Sequence, residues 1–400
     1  MLTLWLKTIR IVKKNVLLPI FITMFIDLLG FGIVIPILPN YIKEIGSTDL
    51  MVGVVASSFS FMQFLFAPMW GNLSDRIGRR PVLLMSLAGT AVAYSFFGLG
   101  SIWLLLLSRT LAGIGSANLS VAQAYIADVT APEKRARAMG MIGAAFGLGF
   151  IFGPPIGGFL KEHYGVASVG YFTAALCIMN LILTFFMLPE SLKVKNTQKR
   201  TAKDAFKDIF LVSQRPIIKD IFLLNFIYIG AYAAIQITCA LLWKDVYHLT
   251  DKQIGYVFAF IGVWAAIIQG GLIGFISRKM GEKRMLVNGF VILAVGILFL
   301  PFIPLNLFMP LEYLCLMIMG FANGMLMPAI GSTTSKLSGA NEQGKVLGVM
   351  QSIGSLARGI GPIVGGFLYG LNYHSAFVVS SAFMVLGIFL SRNFVKKHLS

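Results

Sequence analysis

Twelve apolar segments, each close to the length that crosses a bilayer, constrain this chain more than any other feature. A membrane-spanning helix needs about 20 predominantly apolar residues. Hydrophobic residues make up 57% of the chain and charged residues only 12%, whereas a soluble domain carries about 25% charged residues. The sequence therefore predicts an all-α polytopic membrane protein. The predicted spans are 17–38, 50–71, 82–99, 103–127, 138–160, 168–188, 218–242, 253–277, 286–304, 311–334, 346–369 and 375–392.

The basic residues are distributed unevenly over the loops between these spans. Of the 33 Lys and Arg, 27 fall before the first span, after the last one or in every second loop, when Lys219 and Arg392 at the edges of spans are counted with the adjoining loop and tail; Arg109 and Arg358 lie deeper inside spans. The positive-inside rule then places both termini in the cytoplasm, which suits a bacterial inner (cytoplasmic) membrane. The net charge of +17 thus reflects topology, and no nucleic-acid partner is expected. The other loops hold Lys43, Lys161, Lys244 and Lys252.

Two motifs recur about 200 residues apart. GPPIGGFL at 153–160 returns as GPIVGGFL at 361–368, and GNLSDRIGRR at 71–80 returns as GFISRKMGEK at 274–283. Coincidence among glycine-rich helices is the alternative. The order and nearly constant offset favour an internal repeat.

The repeat and the long polar stretch in the middle of the chain predict two pseudo-symmetric six-helix halves. The N-terminal half is 1–189, a cytoplasmic linker is 190–216, and the C-terminal half is 217–400. We expect a surface helix within the linker, near Ala205–Leu211. Transporters built from parallel repeats bind substrate near the midplane, between the halves.

Cofactor and enzyme chemistry find little support in the sequence. Cys177, Cys239 and Cys315 show no metal-ligand spacing, and all four histidines lie outside the spans. Catalysis inside the membrane would need a constellation such as Ser with His. We therefore expect no cofactor, no metal and no enzymatic activity.

The stretch GNLSDRIGRR resembles a loop signature of the major facilitator superfamily, G-x-x-x-D-R-x-G-R-R. The resemblance implies that superfamily's fold and transport by alternating access. We expect a cytoplasmic gate in which Asp75 lies at a helix end and Arg79 pairs with Asp128, whereas an ordinary basic turn is the alternative. Gly71 would let two helix ends touch. The matching residues are Gly71, Asp75, Arg76, Gly78, Arg79 and Arg80.

The second copy of this motif departs from the pattern. Arg278 occupies the place of Asp75. We therefore expect the corresponding turn of the C-terminal half to be paired differently or more weakly.

A glycine-rich run in the fifth span, GAAFGLGFIFGPPIGG, resembles the antiporter signature of drug-export branches of the same superfamily. The resemblance implies export rather than uptake. Close helix packing, which glycine permits in any membrane protein, is the alternative. The motif residues are Gly147, Gly149, Gly153, Pro154, Gly157 and Gly158.

Two charges inside spans are candidates for proton coupling. Asp27, in a D-x-x-G-x-G-x-x-x-P pattern, resembles the acidic residue of tetracycline-type and multidrug proton antiporters, and Arg109 lies about two turns inside the fourth span. Intramembrane charges are costly and usually functional. A purely structural ion pair of the two is the alternative. Glu312 lies near the outer end of the tenth span.

Aromatic and polar residues in the spans are candidates for the substrate cavity. The amides could instead join helices by hydrogen bonds. Arg358 could attract an anionic substrate or could face the C-terminal end of a helix. The candidates are Phe31, Gln63, Asn118, Gln123, Gln236, Gln351 and Arg358.

Together these features predict a secondary active transporter that exports lipophilic small molecules in exchange for protons. The expected partners are a small-molecule substrate, protons and the lipid bilayer, and the expected state is a monomer. Proton-coupled transport of a metabolite such as a sugar is the alternative. A non-transporting sensor and an intramembrane enzyme are more remote alternatives.

Overall fold

The computed structural model describes residues 17–131, 134–192, 202–338 and 342–398, and within these ranges every regular element is helical. We number the α-helices α1 to α15. They are α1 Leu17–Val34, α2 Leu38–Glu44, α3 Asp49–Ile77, α4 Arg79–Ser95, α5 Ile102–Gly115, α6 Leu119–Val129, α7 Arg135–Tyr164, α8 Val166–Met187, α9 Ala202–Ser213, α10 Pro216–Asp245, α11 Asp251–Ile267, α12 Ile273–Phe299, α13 Phe308–Leu337, α14 Gln343–Leu371 and α15 Tyr373–His398.

The all-helical membrane architecture predicted from the sequence is confirmed. Nine helical segments among the described residues are long and apolar enough to cross a bilayer. One of them, Asp251–Phe302, covers two predicted spans. Two further predicted spans fall on α4, which is 17 residues long, and on α14. The helices are therefore consistent with the expected twelve spans.

The chain divides into two compact units. Unit 1 comprises Met1–Ile37 and Met62–Ala202, and unit 2 comprises Leu38–Phe61 and Lys203–Ser400. Helix α3 contributes its first part to unit 2 and its remainder to unit 1. The segment 38–61, which the sequence places in the N-terminal half, thus makes its contacts with unit 2.

In unit 1, α1 packs against α7 and α8. The α1–α7 contact is made by glycines, which allow close approach of two backbones. The α1–α8 contact is polar. The hydroxyls of Thr23 and Thr184 lie 2.9 Å apart, and Asn180 Nδ2 donates to the carbonyl oxygen of Thr23 at 2.9 Å. These bonds hold the helix that carries Asp27.

In unit 2, α10 packs against α14, and α12 packs against α13 and α15. The α10–α14 contact brings Gly361 against the backbone of Gly230. A π-helical segment, Ile268–Leu272, joins α11 to α12. The first part of α3 lies on α14, where Gly53 faces the backbone of Pro362.

The two copies of the GNLSDRIGRR motif, at 71–80 and 274–283, have similar backbone conformations at one glycine. Gly78, between α3 and α4, has φ of 118°, and Gly281, at a kink inside α12, has φ of 70°. These values are strained for any residue with a side chain. The two positions are 203 residues apart, the offset of the sequence repeat, so each copy of the motif makes a sharp turn at the same glycine.

The predicted linker, 190–216, is partly described. Residues 193–201 lie outside the described residues, as do the basic residues before the first span, within 1–16. A helix is present where the surface helix was expected, because α9 spans Ala202–Ser213. It exposes Phe210 and Leu211.

Ion pairs hold α9 and the start of α10 to α14. Lys345 Nζ lies 2.6 Å from Asp208 Oδ1, and the guanidinium of Arg215 contacts both carboxylate oxygens of Glu342, at 2.6 and 3.1 Å. The hydrogen bonds and charge of Arg215 hold the pKa of Glu342 below its usual value. The linker helix is therefore fixed to unit 2 through the first turn of α14.

Candidate functional site

A buried polar cluster lies inside unit 1, and Asp27 is its acidic member. Asp27 is 7% exposed on α1, and Arg109 is 1% exposed on α5. Helix α5 begins at Ile102, so Arg109 lies two turns inside it, as the sequence predicted. Both charged groups are therefore removed from the water at the helix ends.

Tyr94 and Asn118 connect the cluster. The guanidinium carbon of Arg109 lies 5.6 Å from the centre of the Tyr94 ring, and the two side chains are also hydrogen-bonded. Tyr94 lies close enough to Asp27 to interact electrostatically with its carboxylate. Asn118 hydrogen-bonds to Asp27 and donates to Ser86 Oγ at 2.6 Å.

A break between two helices positions Asn118. The chain passes from α5 to α6 through a single 3-10 turn, Ser116–Asn118. Ser86 on α4 holds this turn by donating to the carbonyl oxygen of Gly115 at 2.7 Å. The amide of Asn118 is thereby directed to the cluster.

The carboxyl of Asp27 is only partly hydrogen-bonded within this cluster. Its Oδ1 accepts no hydrogen bond from the described residues. Tyr94 interacts both with the charge of Asp27 and with that of Arg109. The cluster therefore joins side chains on α1, α4 and α5.

A second charged cluster, the Arg79 cluster, consists of Ser74, Asp75, Arg79, Asp128 and Glu190. Arg79 is buried at the start of α4. Its guanidinium forms an ion pair with Asp75, contacts Asp128 Oδ2 at 3.1 Å and donates to Ser74 Oγ at 2.7 Å. The structure thus brings Arg79 of the motif together with Asp128, and Asp75 forms an ion pair with the same guanidinium.

Glu190 was missed by the sequence reasoning. Its carboxylate accepts from the backbone N–H groups of Arg79 at 2.9 Å and Arg80 at 3.1 Å. These N–H groups lie at the N-terminus of α4 and have no acceptor within the helix, and a negative charge is favourable there. Gly78 provides no side-chain cap, so an acid just after the sixth span caps a helix 110 residues earlier. Its place at the end of a span, on the side of the Arg79 motif, was the available signal.

The remaining motif residues differ in their surroundings. Arg76 is exposed and Arg80 is half-buried. A Cβ at Gly71 would lie 3.9 Å from Ser120 Oγ on α6, an ordinary van der Waals distance, and the expected contact of helix ends at Gly71 stays a prediction. In the repeat, Arg278 donates to the carbonyl oxygen of Gly274 on its own helix.

Comparison with known proteins identifies the family. Residues 20–362 and 221–398 match the Major Facilitator Superfamily. The chain belongs to the major facilitator superfamily. It is a multi-pass membrane transporter and not an enzyme, in agreement with the sequence analysis.

Several curated members of the superfamily are similar over almost the whole chain. Multidrug resistance protein 2 of Bacillus subtilis (strain 168) is 28% identical over 388 residues, which cover 95% of each chain. The class E tetracycline resistance protein of Escherichia coli is 34% identical over 355 residues, 87% of this chain and 86% of that one. The crystal structure of the human organic anion transporter MFSD10 (TETRAN) has a TM-score of 0.71 at 26% identity and covers 94% of this chain and 99% of that one.

The antiporter-type glycines of this major facilitator chain lie on α7. A Cβ at Gly149 would be 2.8 Å from the backbone of Leu28, and one at Gly153 would be 2.6 Å from that of Gly32. Gly157 likewise faces α1, whereas Gly147 has no atom within 4 Å. Pro154 lies inside an uninterrupted helix, and Gly158 is buried.

The amide and aromatic residues expected to line a cavity have mixed surroundings. Gln63 donates to the carbonyl oxygen of Ser116 at 3.1 Å and therefore joins two segments of unit 1. The ring of Phe31 packs edge-on against that of Phe150, with centroids 6.1 Å apart. Gln123 in unit 1 and Gln351 in unit 2 are exposed, and Gln236 in unit 2 is half-buried.

Glu312 in unit 2 is more buried than the sequence suggested. It lies on the second turn of α13, is 1% exposed and accepts from Trp243 Nε1 at 2.8 Å. Glu312 is therefore a second buried carboxyl in addition to Asp27, although it lies near the start of its own helix.

Proposed function

We propose that this protein exports lipophilic small molecules in exchange for protons by alternating access, and that Asp27 is the proton-binding group. The observation that carries the proposal is the burial of Asp27 in a polar cluster with Tyr94, Asn118 and Arg109. Relatives named as multidrug and tetracycline resistance proteins support drug export.

Coupling requires a group whose charge changes during the cycle. An arginine side chain is not deprotonated in proteins, whereas a carboxyl can exist in both states. Asp27 lies on α1, whose contact with α7 is made by glycines that bring the two backbones close together. Release of the proton restores a negative charge close to Tyr94, whose ring also contacts the guanidinium of Arg109.

We further propose that the protein works as a monomer in the inner membrane with both termini cytoplasmic. The excess of Lys and Arg in alternate loops supports this orientation. The orientation is tested by fusing, after His398, a reporter enzyme that is active only in the cytoplasm. Activity of the fusion is expected, and activity only of a periplasmic reporter would contradict the orientation.

The test of coupling is transport in proteoliposomes energised by a pH gradient alone, with tetracycline and other fluorescent drugs as substrates. Asp27→Asn should abolish gradient-driven accumulation while drug binding to the purified protein persists. Asp27→Glu should restore part of the coupling, because it keeps a titratable carboxyl. Glu312→Gln is the matched control, since it neutralises the other buried carboxyl, and it should transport normally.

Two results would overturn the assignment. If Asp27→Asn still concentrates drug by using the gradient, Asp27 is structural. If Glu312→Gln and not Asp27→Asn abolishes coupling, the proton site lies in unit 2. Failure of the wild-type protein to move any drug in the panel would refute drug export itself.

A further inference from the structure

A cavity of about 190 Å³ lies between the start of α10 and the end of α15, both in unit 2. The two helices pack against each other, and both are long and apolar enough to cross a bilayer. The first residues of α10 and the last residues of α15 therefore lie at the same membrane surface. The cavity is lined by Asp220, Leu223, Leu390, Asn393, Phe394 and Lys397.

The lining of this cavity changes from polar to apolar with depth in the membrane. An α-helix advances about 5.4 Å in each turn of 3.6 residues. On α10, Leu223 lies about one turn deeper than Asp220, and on α15, Leu390 lies about two turns deeper than Lys397. Polar groups thus line the outer part of the cavity, and apolar side chains line its inner part. A phospholipid has the same order, with its headgroup above its acyl chains.

The outer part of the cavity carries one acid and one base that can bind a further group. Asp220 Oδ2 lies 3.4 Å from His398 Nε2, and the side chain of Asp220 is 43% exposed. A carboxylate has about four acceptor sites, so Asp220 can accept more than this one contact. Lys397 and Asn393 are exposed and form no hydrogen bond or ion pair with the described residues. A carboxylate acceptor therefore faces the same space as an ammonium and an amide donor.

We propose that this cavity binds the headgroup of a phospholipid with a primary ammonium group, of the phosphatidylethanolamine type. The ammonium of the lipid donates to Asp220, and its phosphate accepts from Lys397 and Asn393. An acyl chain runs along Leu223 and Leu390, on the apolar inner part of the cavity. The inference goes beyond the proposed export function and does not depend on it.

The pairing of one acid with one base favours this zwitterion over other phospholipids. Phosphatidylglycerol has a phosphate for Lys397 but no cation for Asp220. Phosphatidylcholine has a cation, but its trimethylated nitrogen carries no N–H to donate. Charge-assisted hydrogen bonds are roughly twice as strong as neutral ones, so the primary ammonium should decide the preference.

The first experiment measures lipid binding to the purified protein in detergent by native mass spectrometry. The probes are dioleoyl phosphatidylethanolamine, dioleoyl phosphatidylcholine and dioleoyl phosphatidylglycerol, each titrated separately. Wild-type protein should bind phosphatidylethanolamine most tightly. Asp220→Asn should raise the Kd of phosphatidylethanolamine about three- to fivefold, the range of a partly exposed charge pair, and should leave the Kd of phosphatidylcholine unchanged.

Two further variants separate the roles of the charges. Lys397→Gln should raise the Kd values of phosphatidylethanolamine and phosphatidylcholine by the same factor, because both lipids carry the phosphate. Arg392→Gln is the matched control, since Arg392 is an exposed cation on α15 outside the cavity lining, and it should bind all three lipids normally. The Tm of each variant shows that the fold is retained.

The second experiment locates the bound lipid. Asn393→Cys is labelled with a water-soluble maleimide in nanodiscs that contain phosphatidylglycerol and either phosphatidylethanolamine or phosphatidylcholine, in the same molar ratio. The native cysteines are buried. Labelling should be at least about threefold slower with phosphatidylethanolamine, because the headgroup covers position 393. Arg392→Cys should be labelled at equal rates in both nanodiscs.

The inference is overturned if Asp220→Asn binds phosphatidylethanolamine as the wild type does, or if the wild type binds it no better than phosphatidylcholine. Phosphatidylglycerol that binds as tightly as phosphatidylethanolamine would also refute it, because the site would then serve anionic lipids. Equal labelling rates of Asn393→Cys in the two nanodiscs would place the bound lipid elsewhere. Asp27→Asn should leave all three Kd values unchanged, so a failure of proton coupling is distinguishable from a failure of lipid recognition.

Discussion

The contact between α1 and α7 predicts opposite effects for two glycine-to-alanine exchanges on one helix. In Gly153→Ala, the new methyl group would lie 2.6 Å from the carbonyl carbon of Gly32 and 2.7 Å from the backbone nitrogen of Ile33. Carbon atoms in contact prefer about 3.5–4.0 Å. Backbone cannot rotate out of the way as a side chain can, so the helices must separate by about 1 Å.

Overpacking of this kind costs about 1–3 kcal/mol. For a unit of this size, 1 kcal/mol corresponds to about 2–4 °C in Tm, so we expect Gly153→Ala to lower Tm by about 2–12 °C. Gly147→Ala is the control, because a Cβ there meets no atom within 4 Å. It removes the entropic cost of a helical glycine, about 0.5–1 kcal/mol, and should leave Tm unchanged or raise it.

The buried cysteines supply the assay. Cys177 lies in unit 1, and Cys239 and Cys315 lie in unit 2; all three are free and buried. In a Cys239→Ala, Cys315→Ala background, a thiol-reactive dye reports the melting of unit 1 alone. An unchanged Tm for Gly153→Ala, or an equal loss for Gly147→Ala, would refute the packing argument.

Two further exchanges test the charged groups. Asp128→Asn leaves the buried Arg79 with Asp75 as its ion-pair partner, and the side chain of Asp75 is 41% exposed. Because a buried charge then loses a partner, drug transport in proteoliposomes should fall at least about fivefold. The fall should be larger than in Asp75→Asn. Equal effects of the two exchanges would contradict this. Glu312→Gln keeps an acceptor for Trp243 Nε1–H and should hardly change Tm, whereas Glu312→Leu leaves that donor buried and should cost about 1–3 kcal/mol. The opposite order in thermal melts would show that the hydrogen bond does not matter.

The fold could be predicted from the sequence because a bilayer leaves few choices. Backbone polar groups in lipid must be satisfied within the segment, so a long apolar run has to be helical. The turn glycines were equally local signals, since the conformations of Gly78 and Gly281 are strained for other residues. The depth of Arg109 followed from counting residues along one helix.

The candidate site could be predicted only in part. The pairing of Arg79 with Asp128 was anticipated because both lie at the same predicted membrane surface. The contact of helix ends expected at Gly71 stays a prediction; a Cβ added there would lie 3.9 Å from Ser120 Oγ. Glu190, the residue that caps α4, was not found at all.

Sequence alone determined which residues are helical and which charges lie inside the membrane, because both depend on runs of neighbouring residues. Tertiary structure alone decided which helices are neighbours. It brought Asn118 to Asp27, placed Trp243 over Glu312 and left Arg358 without a described carboxylate. No local pattern encodes these relations, since each joins side chains on different helices and the packing of those helices depends on complementary surfaces along their whole length.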